Sequence, residues 1–250
     1  GLVDGRNEVL IGTNPWIELV AKGAIDLEGW QLRTVSHSPV DWVFPVLSLS
    51  AGDHHVEESR LPVDNTYEHW GVELLNPVGQ VVDRITWGLQ ITNQSIGRLT
   101  DGSWALLESS SRGAVNGDAA VLGEITALRI NEWFAADGDT VLDDSFLELH
   151  NPGNVPIALG GLWLSDEPSE AGRRKWQIPK LSYIAPGGYA AFTSGGGTSN
   201  PSRFRFDIAR GGEFLQLAAG DDAGTVIDGI GFGIQLSDTH ARGRFPDGGG

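Results

Sequence analysis

The chain has 250 residues, no cysteine, no methionine and a net charge of −16 from 33 acidic and 17 basic residues. Without cysteine it can hold neither disulfides nor thiolate metal sites, and it offers no uninterrupted apolar run of the roughly 18 residues that a membrane span needs. Its acidity opposes the phosphate neutralisation on which nucleic-acid binding depends, and suits solubility and cation binding instead.

The length allows one large domain or two small ones. With 35 glycines and 9 tryptophans scattered among short apolar runs, the composition predicts an all-β chain with many tight turns. Gly1-Leu2-Val3-Asp4-Gly5 is neither basic nor apolar enough for a signal peptide. Together with the missing Met, this predicts a mature or trimmed chain, with room for a signal removed ahead of residue 1.

In chain order the strands come in two series. Arg6-Asn7-Glu8 is echoed by Arg129-Ile130-Asn131-Glu132-Trp133, which opens the second series. Trp16-Ile17-Glu18-Leu19 alternates apolar and polar residues, as does Phe146-Leu147-Glu148-Leu149. The run Ile25 to Leu32 matches Ile157 to Leu164, each a strand after a glycine bend. Trp42-Val43-Phe44-Pro45 matches Trp176-Gln177-Ile178-Pro179, short strands ended by a proline that cannot donate to a ladder. A turn at Leu49-Ser50-Ala51-Gly52 answers Ile184-Ala185-Pro186-Gly187. Asn76-Pro77-Val78-Gly79 predicts a hairpin between Gly71–Asn76 and Gly79–Ile85. Gly79 to Asp83 matches Gly224 to Asp228, and Trp87-Gly88-Leu89-Gln90 matches Phe232-Gly233-Ile234-Gln235. Gly97-Arg98-Leu99-Thr100-Asp101-Gly102 matches Gly243-Arg244-Phe245-Pro246-Asp247-Gly248. The order is kept throughout. No sustained helical stripe occurs, and 121–128 is at most one short turn or strand. The organisation expected is a first domain over 1–108, a small polar linker over 109–123 and a second domain over 124–250.

In this ordered series each copy resembles the lamin tail domain, a family of Ig-like β-sandwiches that also occurs in bacterial secreted proteins. The second copy carries the resemblance through Ile130-Asn131-Glu132, Leu147-Glu148-Leu149, Asn151-Pro152-Gly153, Trp163-Leu164-Ser165-Asp166, Pro186-Gly187 and Arg244-Phe245-Pro246-Asp247-Gly248. The first copy departs from it, with Arg6 where Ile is usual and Thr100 where Pro is usual. The resemblance implies two tandem Ig-like sandwiches used for scaffolding or surface attachment, and no catalysis. Fold alone does not give function. No heptad rod accompanies the domains, so the nuclear role of lamins is not implied.

Candidate sites are few. Asp137, Asp139, Asp143 and Asp144 supply the oxygen ligands a calcium ion wants, although their spacing misses the EF-hand loop. His54 and His55 are metal-friendly, but neighbours on a strand point to opposite faces. Asp221-Asp222 suits a turn tip. Asp83 with Arg98, and Asp228 with Arg244, are expected to pair structurally and close each sandwich. Asn7-Glu8 and Asn131-Glu132 are expected to bond neighbouring backbone groups. Trp30 and Trp163 are expected at equivalent core positions. Gly195-Gly196-Gly197 lacks a following lysine, and no G-x-S-x-G or H-E-x-x-H motif is present.

The expectation is therefore a non-enzymatic module without a resident cofactor. It would mediate attachment, protein interaction or spacing within a larger surface assembly, with protein partners or copies of itself, or a surface glycan. One alternative is a filament or sheath subunit assembling by edge-strand addition, with residues 1–10 or the linker as donor. Another is a calcium- or carbohydrate-binding accessory domain of a secreted hydrolase.

Overall fold

The computed structural model describes residues 3–10, 15–58, 69–136, 144–195, 203–235 and 240–249. The chain is all-β and divides into two compact units, Gly1–Val121 and Leu122–Gly250. Among the described residues the one helical element is a 3-10 turn at Ile125–Ala127, inside the stretch expected to hold a short turn.

The first unit contains β1 (Val3–Leu10), β2 (Trp16–Ala21), β3 (Ile25–Asp26), β4 (Gln31–Ser36), β5 (Asp41–Val43), β6 (Ser48–Leu49), β7 (His54–Glu58), β8 (His69–Leu75), β9 (Val81–Thr86), β10 (Ser95–Arg98) and β11 (Trp104–Leu106). One sheet runs β11-β10-β1-β2-β7, a second runs β5-β4-β8-β9, and β3 pairs β6. The sheets face each other: Ile17 and Leu19 from the first line one apolar cavity with Leu32, Val72 and Leu74 from the second. The period-two alternation of strands puts these residues on the inner faces.

The second unit contains β12 (Arg129–Phe134), β13 (Phe146–His150), β14 (Ile157–Ala158), β15 (Trp163–Ser165), β16 (Trp176–Gln177), β17 (Tyr183–Ile184), β18 (Tyr189–Thr193), β19 (Glu213–Ala218), β20 (Val226–Phe232) and β21 (Arg242–Gly243). Its sheets run β18-β13-β12-β21 and β16-β15-β19-β20, and β14 pairs β17. Strand for strand this is the order of the first unit without β11. The sequence repeat is therefore a repeat of topology. Glycines with positive φ recur in step, at 29 and 161, 52 and 187, 79 and 224, and 102 and 248. Each holds a turn that a side chain would strain. At the β8–β9 hairpin, Asn76 Oδ1 accepts from the backbone of Val78 and Gln80 across that turn.

Three expectations change. Trp30 and Trp163 are not equivalent: Gln31 pairs Leu75 as Trp163 pairs Ala218, so Trp30 answers Leu162. A one-residue offset in a strand reverses the face, and both tryptophans are half-buried while Leu32 and Leu164 fill the core. β1 is not free to donate, because it lies inside its sheet between β10 and β2. Most of the expected linker is bonded into the first unit. Leu107 bridges Ala119, Glu108 donates to Asp118, and Ala120 donates to Leu106. The boundary between the units falls at Val121 and Leu122.

Candidate binding cleft

On one side of the first unit the edge strands of the two facing sheets, β5 and β7, come together. Among the described residues β5 pairs with β4 alone, and Pro45 follows it after Phe44. Phe44 is driven into the core, its N–H donating to Trp30 O at 2.9 Å. Trp42 meets Phe44 edge-on at 4.3 Å, and Phe44 in turn meets the His55 ring of β7 at 5.7 Å. Its neighbour Val43 turns outward and is 52% exposed, and beyond Pro45 the chain leaves Val46 72% exposed. Trp42, Val43, Pro45, Val46, Leu47, His55 and Glu57 line a cleft of about 480 Å³. Its polar rim is the pair His55 Nε2 and Glu57 Oε2, 3.3 Å apart. These side chains offer apolar surface and an imidazole–carboxylate pair, but no hydroxyl, thiol or amine nucleophile.

The matching side of the second unit is filled. Trp176, on the strand equivalent to β5, packs edge-on against Phe192 of β18 at 5.4 Å. Phe204 lies 6.4 Å beyond it, with Phe206 stacked on Phe204 at 4.6 Å. All four rings are buried. The corresponding β7–β8 connection of the first unit, 59–68, lies outside the described residues.

The residues singled out in the sequence scatter over other roles. Of the calcium candidates, Asp137, Asp139 and Asp143 lie outside the described residues. Asp144 pairs with Arg203 at 2.8 Å. Among the described residues no three His, Asp or Glu side chains are grouped to hold a metal ion. His54 and His55 do face opposite ways: His54 Nδ1 lies 2.8 Å from buried Glu18 Oε1, while His55 joins the cleft. Asp221 closes its own turn by accepting from the N–H and hydroxyl of Thr225, which hold its carboxyl below the usual range. Both Asp–Arg pairs form between the facing sheets. Arg98 reaches Asp83 at 2.7 Å, and Arg244 grips Asp228 at 3.0 and 3.1 Å. Asn131 Oδ1 accepts from the backbone N of Gly248, far away in sequence, where a bond to a neighbouring backbone group was expected.

Sequence reasoning missed two groupings. The cleft was signalled only by Val-Asp-Trp-Val-Phe-Pro-Val, an apolar run too short for its strand to be buried on both faces. The other grouping is an acidic cluster on the outer face of the second unit. Glu132 and Glu148 are directly opposed across β12 and β13, with Asp247 nearby. Burial, then the charges of Glu148 and Asp247, hold the Glu132 carboxyl above its ordinary range. The Tyr189 hydroxyl donates to Asp247 at 2.6 Å, and Asn131 adds a longer bond. These bonds lower the Asp247 pKa, and the first raises that of Tyr189. His150 stacks on Tyr189 at 4.6 Å.

No family model, curated protein or solved structure compared with the chain matches it. Among the described residues, no helix is long and apolar enough to cross a membrane.

Proposed function

We propose that this chain is a non-catalytic attachment module of the lamin-tail type, acting at the cell surface and engaging a protein partner through the cleft of its first unit. The observation that carries the reading is the exposed apolar lip of Val43 and Val46 beside half-buried Trp42. Such surface, rimmed by polar groups, marks interaction sites on soluble proteins. Aromatic side chains are enriched at the centres of such sites. The ordered motifs of the two copies, repeated in strand order and in turn glycines, support the lamin-tail assignment. The Asp83–Arg98 and Asp228–Arg244 pairs are engaged between the sheets, and the cleft lining adds no hydroxyl, thiol or amine nucleophile to the His55–Glu57 pair, which favours binding over catalysis.

The test is retention of the purified chain on the insoluble surface fraction of its source cells. Val46→Asp should reduce retention about tenfold with an unchanged melting midpoint, and protease treatment of that fraction should abolish it. Unchanged retention by the variant overturns the cleft as the site. Retention that survives protease replaces the protein partner with a glycan. Light scattering across a wide concentration range should give the mass of a single chain, and growing assemblies would favour the filament reading instead.

A further inference from the structure

Beside the β16-β15-β19 ladders the second unit brings a lysine, an aspartate and a glutamate together. Leu164 pairs Trp176, so Asp166 and Lys175 lie just past the end of the β15–β16 pairing. Buried Ser165 holds the intervening loop closed: its hydroxyl donates to Gly172 O at 2.8 Å and accepts from Glu167 N at 2.9 Å. Lys175 Nζ then sits 2.5 Å from Asp166 Oδ1. That is closer than the roughly 2.7–2.9 Å usual for an ammonium–carboxylate bond. Asp166 Oδ1 is buried and accepts no aligned hydrogen bond. The amine is thus pressed against the carboxyl group instead of being bonded to it in the ordinary way.

Glu213 opens β19, which flanks β15 on its other side. It stands two residues before buried Leu215 and shares that side of the strand. Burial holds the Glu213 carboxyl above its ordinary range, against the Ala209 N–H bond at 2.8 Å and the charge of Lys175. The charges of Asp166 and Asp207 add to the rise. Glu213 therefore lies within electrostatic reach of both members of the pair. The Asp166 side chain is 14% exposed and that of Lys175 37%, so the carboxyl group is the more sheltered of the two. The first unit lacks the set. In register, Thr34, Asp41 and Trp70 answer Asp166, Lys175 and Glu213.

We propose that Lys175 and Asp166 condense into an isopeptide bond within the folded chain, with Glu213 carrying the proton. The ammonium first passes one proton to the carboxylate. The Nζ lone pair then attacks Cγ and forms the C–N bond. The Glu213 carboxylate takes a proton from nitrogen and gives it to the departing hydroxyl, returning to its starting state. The C–O bond breaks and one water leaves. One positive and one negative charge vanish together, and no oxidant, metal or further reactant is consumed. Holding the two groups in contact removes the entropic cost that slows such a condensation between free molecules. Loss of an ion pair whose carboxylate is largely withdrawn from water favours the product. The amide joins the ends of the 166–175 loop covalently beside the β15–β16 pair. It uses no residue of the cleft in the first unit, so either proposal can fail alone.

The test is the intact mass of the purified full chain. It should be lighter by one water than the sequence requires, and a tryptic digest should yield a branched peptide joining Asp166 to Lys175. Lys175→Arg keeps the ion pair and the fold but cannot form the bond, so it should show the full mass, as should Asp166→Ala. Glu213→Gln should slow the loss of water by about 100-fold or more, followed by mass from fresh cell-free synthesis onward. Full mass in the unaltered chain after prolonged incubation overturns the proposal, as does a loss of water that persists in Lys175→Arg. Loss of water at an unchanged rate in Glu213→Gln overturns the role given to Glu213.

Discussion

The two units are built on one plan and differ in what each leaves open. The first unit wraps the outer face of its β1-containing sheet with 104–120 and leaves a cleft between β5 and β7. The second unit does the reverse: it fills the matching cleft with Trp176, Phe192, Phe204 and Phe206, and among the described residues it has nothing equivalent to 104–120 on its outer face. A sandwich needs its inner faces packed, and both units achieve this with the same strand order. The sides and outer faces are under no such demand, so duplicated units can diverge there without losing the fold. What separates the units is thus where each presents surface to something else.

The shared element is the cross-sheet Asp–Arg pair, and it offers the sharpest comparison. Asp228 accepts two bonds from Arg244 and one from Ile130 N at 2.8 Å, while Arg244 Nε also donates to Ile130 O. Asp83 accepts from Arg98 and from the adjacent Arg84 N at 2.9 Å, and the Arg98 guanidinium also lies over Trp104 at 5.2 Å. Asp228→Ala strands a largely buried guanidinium and a backbone N–H together. It should cost the second unit about 3–5 kcal/mol, against about 1.5–3 kcal/mol for Asp83→Ala in the first. Separate chemical-denaturation transitions for the two units would measure both. Equal losses would mean that the Trp104 ring does nothing to hold Arg98 once its carboxylate is gone.

The next comparison concerns the cover. Gly97→Val places a side chain where Leu107 and Asn116 sit, and should destabilise the first unit by about 1–3 kcal/mol. Gly243→Val meets only Asn131 O and the Glu132 stem, at 3.0 Å and beyond, and should cost clearly less. Glu18→Ala removes the acceptor for Gly113 N and the partner of His54. It should cost about 1–3 kcal/mol, and it should speed amide exchange at Gly113 and Ala120 ahead of the sheet amides. Protection unchanged at Gly113 would show that the cover holds on through other contacts.

How much of this was legible in the sequence follows from which constraints are local. Turn glycines, proline strand ends and alternating Glu-Leu runs act within a few residues, so the repeat, the all-β class and the Asp–Arg pairs could be read directly. Position within a strand was harder. Trp30 and Trp163 look alike as bulky core residues, yet one step of register turns them to different faces. The stretch 109–120 is small and polar, which is the composition of a linker. Its place in the fold depends on a buried carboxylate far away in sequence, Glu18, and nothing local announces that bond. The cleft and the acidic face share this property: each is made by strands that only pairing brings together.

The smallest expected effect tests whether the Glu132–Glu148–Asp247 cluster is under electrostatic load. Glu132 has a folded-state pKa raised by burial and by its carboxylate neighbours. A group raised in this way binds its proton more tightly in the folded state, so its contribution is full below the unfolded value and is lost as pH climbs through the folded one. At neutral pH the ionised Glu132 therefore opposes folding. Glu132→Gln should stabilise the second unit there by about 0.5 kcal/mol, the group being only partly buried, with the gain vanishing near pH 4. Asp247 is lowered by Tyr189 and Asn131, so it has the opposite sign: its contribution is present above the unfolded value and is lost on acidification. Asp247→Asn should accordingly destabilise at neutral pH. Melting midpoints of the second unit from pH 4 to 7 separate the two variants.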